Sequence, residues 1–356
     1  MAPGQGPAAP VPPGPARAFI GSFTSAGGRG LLTAAVDPRT GALTALGATA
    51  AVADPSYLAL APDGRVLYAV SERDQGAVAA FDVADALPRQ LGEPVPAGGG
   101  SPTHLALADG HVVTANYGSG SVTVLPLRAD GALDAPSCVL HHHGSGPDPE
   151  RQEGPHAHQV LPDPSGRWVL SVDLGTDSVR VCALAADTGT LSVRAEVALR
   201  AGSGPRHLAF HPAGTHAYVV NELAPTMTVC RWDAAEGTLT RLSEVPLLPE
   251  PVEGASYASE VVVAPDGRFL WVANRGHDSI SVFALPADAA RPELRTTVPC
   301  GGHWPRDLVL DPTGRRLYAA NERSGDVTWF DVDQESGIPR LAGSLDAPAA
   351  SCVVLG

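Results

Sequence analysis

The chain is poor in the residues that build most recognisable sites. Aromatic side chains make up 5% of its 356 residues, and it holds 2 methionines and 5 cysteines. The cysteines (Cys138, Cys182, Cys230, Cys300 and Cys352) are far apart, odd in number and never arranged as CxxC. That argues against a disulfide framework or a zinc knuckle and predicts reduced, buried thiols. No apolar run reaches the ~20 residues needed to span a bilayer. The opening MAPGQGPAAPVPPGPA lacks both the basic start and the apolar stretch of a secretion signal, so residues 1–16 read as a disordered tail. Basic residues are scarce: 24 Lys and Arg stand against 38 Asp and Glu, for a formal charge of −14. Such a surface does not suit nucleic acid or an anionic membrane. There is no GxSxG elbow, Walker loop or HExxH. These absences predict a cytoplasmic protein with no cofactor, no membrane and no obligate protein partner.

Glycine and proline are abundant, at 39 and 34 residues, and 44% of the chain is apolar. This composition predicts short strands and many turns. A unit recurs every 47 to 53 residues, starting at Pro55, Pro102, Pro155, Pro205, Ala258 and Pro305. Each copy has an alternating strand, a turn such as Pro-Asp-Gly, a second strand rich in Val, Leu and Tyr, and two further strands. Glycine in these turns supplies the positive φ that a tight hairpin demands. Four strands per period of about 50 residues is a propeller blade. Residues from Arg17 supply three strands that lack a first, and PAASCVVLG, from Pro348, supplies a lone first strand. The predicted fold is therefore all-β: one seven-bladed β-propeller over residues 17–356. Its blades are four-stranded and antiparallel, and the C-terminal strand completes the N-terminal blade.

A blade's inner-strand start and second-strand end meet at one mouth of the central channel. The second strands end in Ser22, Ser71, Asn116, Asp173, Asn221, Asn274 and Asn321. Such small polar residues either bond local backbone or line a site. The residues that follow them, including Tyr117, Glu222, Arg275 and Glu322, vary more. In RQEGPHAHQ, His156 and His158 are two apart and would face one side of a strand. With Asp173 as a third ligand they could hold zinc. With Arg206, His207, Arg275 and Arg306 they could instead form an anion pocket with a proton-transferring imidazole. The His141–His143 run reads as a solvated loop.

The motifs GPHAHQ, GPRHLAFHPAGTHAYVVNEL, SEVVVAPDGRFLWVANRGHDSI and GGHWPRDLVLDPTGRRLYAANE, with ANYGSGSV and RQEGPHAH, resemble the lactonase family of seven-bladed propellers. That family contains bacterial propeller-type 6-phosphogluconolactonases and fungal carboxy-muconate lactonising enzymes, and the resemblance runs from Arg17 to Gly356. It implies a catalytic set of His156, Arg206, Glu222 and Arg275. Substrate contacts are then expected from His158, Asp173, His207, Asn221, Asn274, Arg306 and Asn321. Here ANRGH replaces SNRGH, and Asn321-Glu322 stands where Asn-Gln is common, adding a negative charge near the mouth. The implied activity is hydrolysis of a small anionic sugar lactone, 6-phosphogluconolactone first. Muconate lactonisation, a metal-dependent lactonase and a non-catalytic binding propeller are the rivals. Which of His156 and His158 is the catalytic imidazole stays open.

Overall fold

The structure is a computed structural model and describes residues 16–250 and 254–356. The predicted tail, apart from Ala16, lies outside the described residues. Six four-stranded antiparallel sheets and one with a split outer strand form the seven blades. The split falls in the second blade, where Arg89–Gln90 and Val95–Pro96 share the outer position. Pro94 and Pro96 have no N–H to give a ladder, which keeps this edge short.

The first blade closes the ring. Its inner strand is Ala350–Leu355, paired with Arg17–Ser22 in the register Ala18↔Leu355 and Ile20↔Val353. Closure pairs the inner edge of Arg17–Ser22, which would otherwise be open. The turns after the inner strands carry the expected glycines, at φ 72° for Gly64, 67° for Gly214 and 70° for Gly314.

Among the described residues, seven clusters of buried apolar side chains each bridge two neighbouring blades. In one of them Leu170 and Val181 of the fourth blade pack on Val219 and Trp232 of the fifth. The ring is thus held by blade-to-blade burial, and the channel is left to polar side chains. All five cysteines are unpaired; four are buried and Cys138 is partly exposed. Among the described residues no helix is long and apolar enough to cross a membrane.

Candidate active site

The inner strands share one construction, and it decides where each candidate points. In six blades the ladder to the second strand carries a bulge near its start. Pro205 pairs with Asn221 and His207 with Val220, so Arg206 is the extra residue. Pro305 and Asp307 flank Arg306 in the same way, and Ala157 and Gln159 flank His158. A bulge re-aims the inserted side chain. Arg206, Arg306 and His158 therefore occupy equivalent positions, in register with Thr103 and Ser351.

His156 belongs to a different tier. Its carbonyl accepts from Leu174, as that of Gly204 accepts from Glu222 and that of Trp304 from Glu322. It sits one step outward, at the rim. This corrects the expectation that His156 and His158 project together: the bulge separates them. The asparagine tier also departs from expectation. The side-chain amide of Asn221 donates to Thr226 and Thr228, at 3.0 and 3.1 Å. That of Asn274 donates to Ser279 and Ser281, and that of Asn321 to Asp326 and Thr328. These three are fully buried and clamp second strand to third; the structure does not bring them to the pocket.

Asp173 is turned away as well. Its Oδ2 lies 2.6 Å from Nδ1 of His142 and 3.3 Å from Arg180, while Oδ1 accepts the backbone N–H of His156 at 2.9 Å and of Thr176 at 3.0 Å. Burial opposes its charge, but these donors, His142 first, hold its pKa below the usual value. Asp173 therefore fixes the His156 backbone and contributes no pocket surface. His142 is likewise not in solvent, because its side chain is fully buried against Asp173; His141 and His143 are exposed. The zinc trio His156, His158 and Asp173 is not assembled, and among the described residues no group of three or more His, Cys, Asp or Glu is placed to hold a metal ion.

Glu222 is the hub of what does converge. Arg275 of the next blade reaches its Oε2 at 2.7 Å, Arg206 approaches the same oxygen at 3.3 Å, and Arg151 reaches Oε1 at 2.6 Å. Burial alone would raise the Glu222 pKa, but Arg275, Arg206 and Arg151 overcome it and hold the carboxylate well below its usual range. A carboxylate so saturated is no base; it orients guanidiniums. Arg275 also donates to the Ala258 carbonyl, and Arg206 to that of Ser259.

His156 joins this corner through Tyr117. The two rings stack at 4.4 Å, and the Tyr117 hydroxyl lies 3.4 Å from Arg151. His156 Nδ1 donates to the Tyr117 carbonyl at 2.9 Å, and Nε2 faces Glu153 at 3.2 Å. Arg151 and Tyr117 were not among the residues expected to act. Arg151 stands in RQEGPHAH, five residues before His156, and that position was its only signal.

Across the mouth, Arg306 pairs with Glu322 at 3.1 Å and lies over the Phe23 ring at 4.9 Å. Glu72 accepts from Ser56, and burial raises its pKa despite Arg306 nearby. The mouth is thus arginine-rich over the fourth to sixth blades and acidic around Arg306. Below it, His104, His158 and His207 face the channel. Burial, with Arg206 among the contributing charges, pushes all three pKa values well below the ordinary imidazole value, so the rings are neutral.

The rim depends on close backbone approach. A Cβ on Gly175 would collide with the carbonyl of Gly154 and lie 2.8 Å from the His156 nitrogen. Gly175→Ala should therefore displace His156 and Tyr117 without touching the arginines. The expected result is a ~10- to 100-fold fall in kcat/KM with an unchanged circular dichroism spectrum, as for a misplaced catalytic group.

By class the protein is a lactone-cleaving carboxylic ester hydrolase, on the strength of its family and of its named relatives. The chain belongs to the lactonase family of seven-bladed β-propellers, whose model matches residues 17–355. It is 35% identical to a 6-phosphogluconolactonase of Bacillus subtilis, over 94% of this chain and 97% of that one. It is 34% identical to a 6-phosphogluconolactonase of Pectobacterium carotovorum, over 79% of this chain and 78% of that one. A solved periplasmic gluconolactonase of Pseudomonas aeruginosa superposes with a TM-score of 0.89 at 30% identity, over 96% of this chain and 98% of that one.

Proposed function

We propose that this protein hydrolyses 6-phosphogluconolactone to 6-phosphogluconate. The observation that carries the reading is the convergence of Arg151, Arg206 and Arg275 on the single carboxylate of Glu222. One negative charge among three guanidiniums leaves that corner positive, with Glu222, Arg206 and Arg275 buried from water. Arginine forks match the paired oxygens of a phosphate or a developing carboxylate. When water adds to the lactone carbonyl, the same groups stabilise the oxyanion, and they cost no reorganisation because Glu222 already holds them. No covalent nucleophile is required, since a lactone is an activated ester. Both nitrogens of His156 face acceptors, so the ring satisfies both when both carry hydrogen. That state suits a donor to the departing alkoxide.

The two relatives named 6-phosphogluconolactonase support the phosphorylated substrate. A second reading, an unphosphorylated aldonolactone, is favoured by Glu72 and Glu322 around Arg306, which occupy that arginine and offer acceptors to sugar hydroxyls. The same acidic side disfavours a substrate with several carboxylates, such as a carboxy-muconate. Five unpaired thiols suit a reducing compartment such as the cytoplasm. The test is a stopped assay of purified protein on 6-phosphogluconolactone, gluconolactone and carboxy-muconate. The expected order is phosphorylated lactone first, with gluconolactone at least ~10-fold slower, the worth of one lost charge-assisted contact. Equal rates on the two sugar lactones would move the assignment to the aldonolactone. Turnover no faster than spontaneous hydrolysis on all three would sink it.

A further inference from the structure

Hydrolysis needs an acceptor for the proton of the attacking water, and neither Glu222 nor His156, beside the polarising arginines, is free to serve. Glu222 is saturated by arginines, and both nitrogens of His156 face acceptors. One tier deeper lies His207, next to Arg206 in the chain and 2% exposed. Its Nδ1 is 2.7 Å from Oε2 of Glu260, on the neighbouring blade. Its Nε2 is buried and without a protein partner. A carboxylate can only accept, so hydrogen sits on Nδ1 and the lone pair on Nε2.

Glu260 is itself held. Its Oε1 accepts the Val261 N–H at 2.9 Å, and its carboxyl group meets that of Asp307 on the seventh blade. Asp307 Oδ2 accepts the Val353 N–H at 2.8 Å. Two buried carboxyl groups in contact cannot both ionise. Burial pushes both carboxyl groups up, Asp307 the further because Glu260 also opposes its charge, so the shared proton belongs on Asp307. His207, Glu260 and Asp307 also line, with Arg206, Arg306 and Glu72, a cavity of about 10 Å³ under the mouth. That is close to the space one water centre needs. His104 and His158 lie nearby, with ring centroids 5.3 and 5.0 Å from that of His207, and each also has an unpartnered Nδ1. Neither has a carboxylate to set its tautomer.

We propose that His207 is the general base of the reaction, with Glu260 as its positioning residue and Asp307 as the protonated partner that keeps Glu260 in place. This rests on the lactone-hydrolase reading. A water over Nε2 gives up its proton to that nitrogen while its oxygen bonds to the lactone carbonyl carbon, and the carbonyl electron pair moves onto oxygen beside Arg206 and Arg275. On collapse the carbonyl re-forms, the ring C–O bond breaks, and the alkoxide takes a proton from His156. The product acid ionises, and the proton on His207 passes through solvent to His156. The sum is one lactone and one water giving one hydroxy-carboxylate and one proton. The base–orienter geometry is that of hydrolase imidazoles in general, where the orienter fixes the tautomer.

The decisive experiment compares wild type, His207→Ala and Glu260→Gln on the best lactone, with nitrogen NMR of ¹⁵N-histidine-labelled wild type. Expected are a fall in kcat of ~10²- to 10⁴-fold in both variants, KM within about 3-fold, partial rescue of His207→Ala by added imidazole, and a wild-type His207 signal with bare Nε2. A His207→Ala enzyme with kcat near wild type overturns the base while leaving the lactonase reading intact. A wild type inert on every lactone overturns both. If His207→Ala does not fold, Glu260→Gln and the NMR tautomer decide, and an Nε2–H tautomer in wild type refutes the proposal.

Discussion

Glu222→Gln is expected to lose about 3–5 kcal/mol of folding stability, the cost of removing one partner from a buried ion cluster, together with nearly all lactonase activity. The carboxylate is 5% exposed and opposes Arg151, Arg206 and Arg275 at 2.6, 3.3 and 2.7 Å. Glutamine keeps the shape but leaves two buried guanidiniums, Arg206 and Arg275, and the half-exposed one of Arg151 repelling one another. Arg206 is the most exposed to this, since burial and the charges of Arg275 and Arg306 already depress its pKa. Denaturant midpoints at pH 7, with kcat/KM on the same preparation, check both halves. The pH dependence has a fixed sign. The folded pKa of Glu222 lies below the ordinary glutamate value of 4.5, so its contribution is complete above about that pH and is lost as pH falls toward the folded value. The gap between wild type and Glu222→Gln should hold from pH 8 to about 5 and narrow below 4.5. A gap that widened in acid would contradict the role given to Glu222.

The same cluster shows what the amino-acid order revealed and what it hid. Blade number, the closing strand and the hairpin glycines were legible because each follows from a local rule: alternation, or the positive φ of a tight turn. Arg206, Glu222, Arg275 and Arg306 were legible because the repeat assigns them a tier. The fourth blade misled. By analogy with Pro205 and Pro305 its unit reads as starting at Pro155, whereas the ladder starts at Ala157. Counting seven residues back from the turn prolines Pro62, Pro164, Pro212, Pro265 and Pro312 gives Pro55, Ala157, Pro205, Ala258 and Pro305. That count would have put His158, not His156, level with Arg206. The asparagine tier was ambiguous in principle, since an amide at a strand end serves a neighbouring strand or a ligand equally well. The Glu260–Asp307 pair was hidden for another reason. Each residue alone looks like a strand carboxylate, and only the alignment of Ser259-Glu260 with Arg306-Asp307 puts two acids on adjacent blades at one depth.

Closure of the ring yields the other large effect. Deleting residues 350–356 should leave no cooperatively folded protein. The strand Ala350–Leu355 is the inner strand of the first blade, and Ala350, Cys352 and Val353 are buried against Ile20, Phe19 and Tyr318 among others. Its loss exposes those faces, at roughly 1.5–3 kcal/mol for each large side chain uncovered, and opens the edge of Arg17–Ser22 to foreign strands. It also reaches the chemistry. Val353 supplies the N–H that holds Asp307, Asp307 meets Glu260, and Glu260 orients His207. Restoring the segment elsewhere separates closure from chain order. Gly356 and Arg17 exchange backbone hydrogen bonds of 3.0 and 2.8 Å, so the strand can precede Arg17 through a short turn, as inner strands do in the other blades. A variant carrying residues 348–356 ahead of Arg17 should recover a single thermal transition and the lactonase activity. The deletion alone should give aggregated material on size-exclusion chromatography. A deletion that melted like wild type would mean that the blade-to-blade clusters hold the ring without its closing strand.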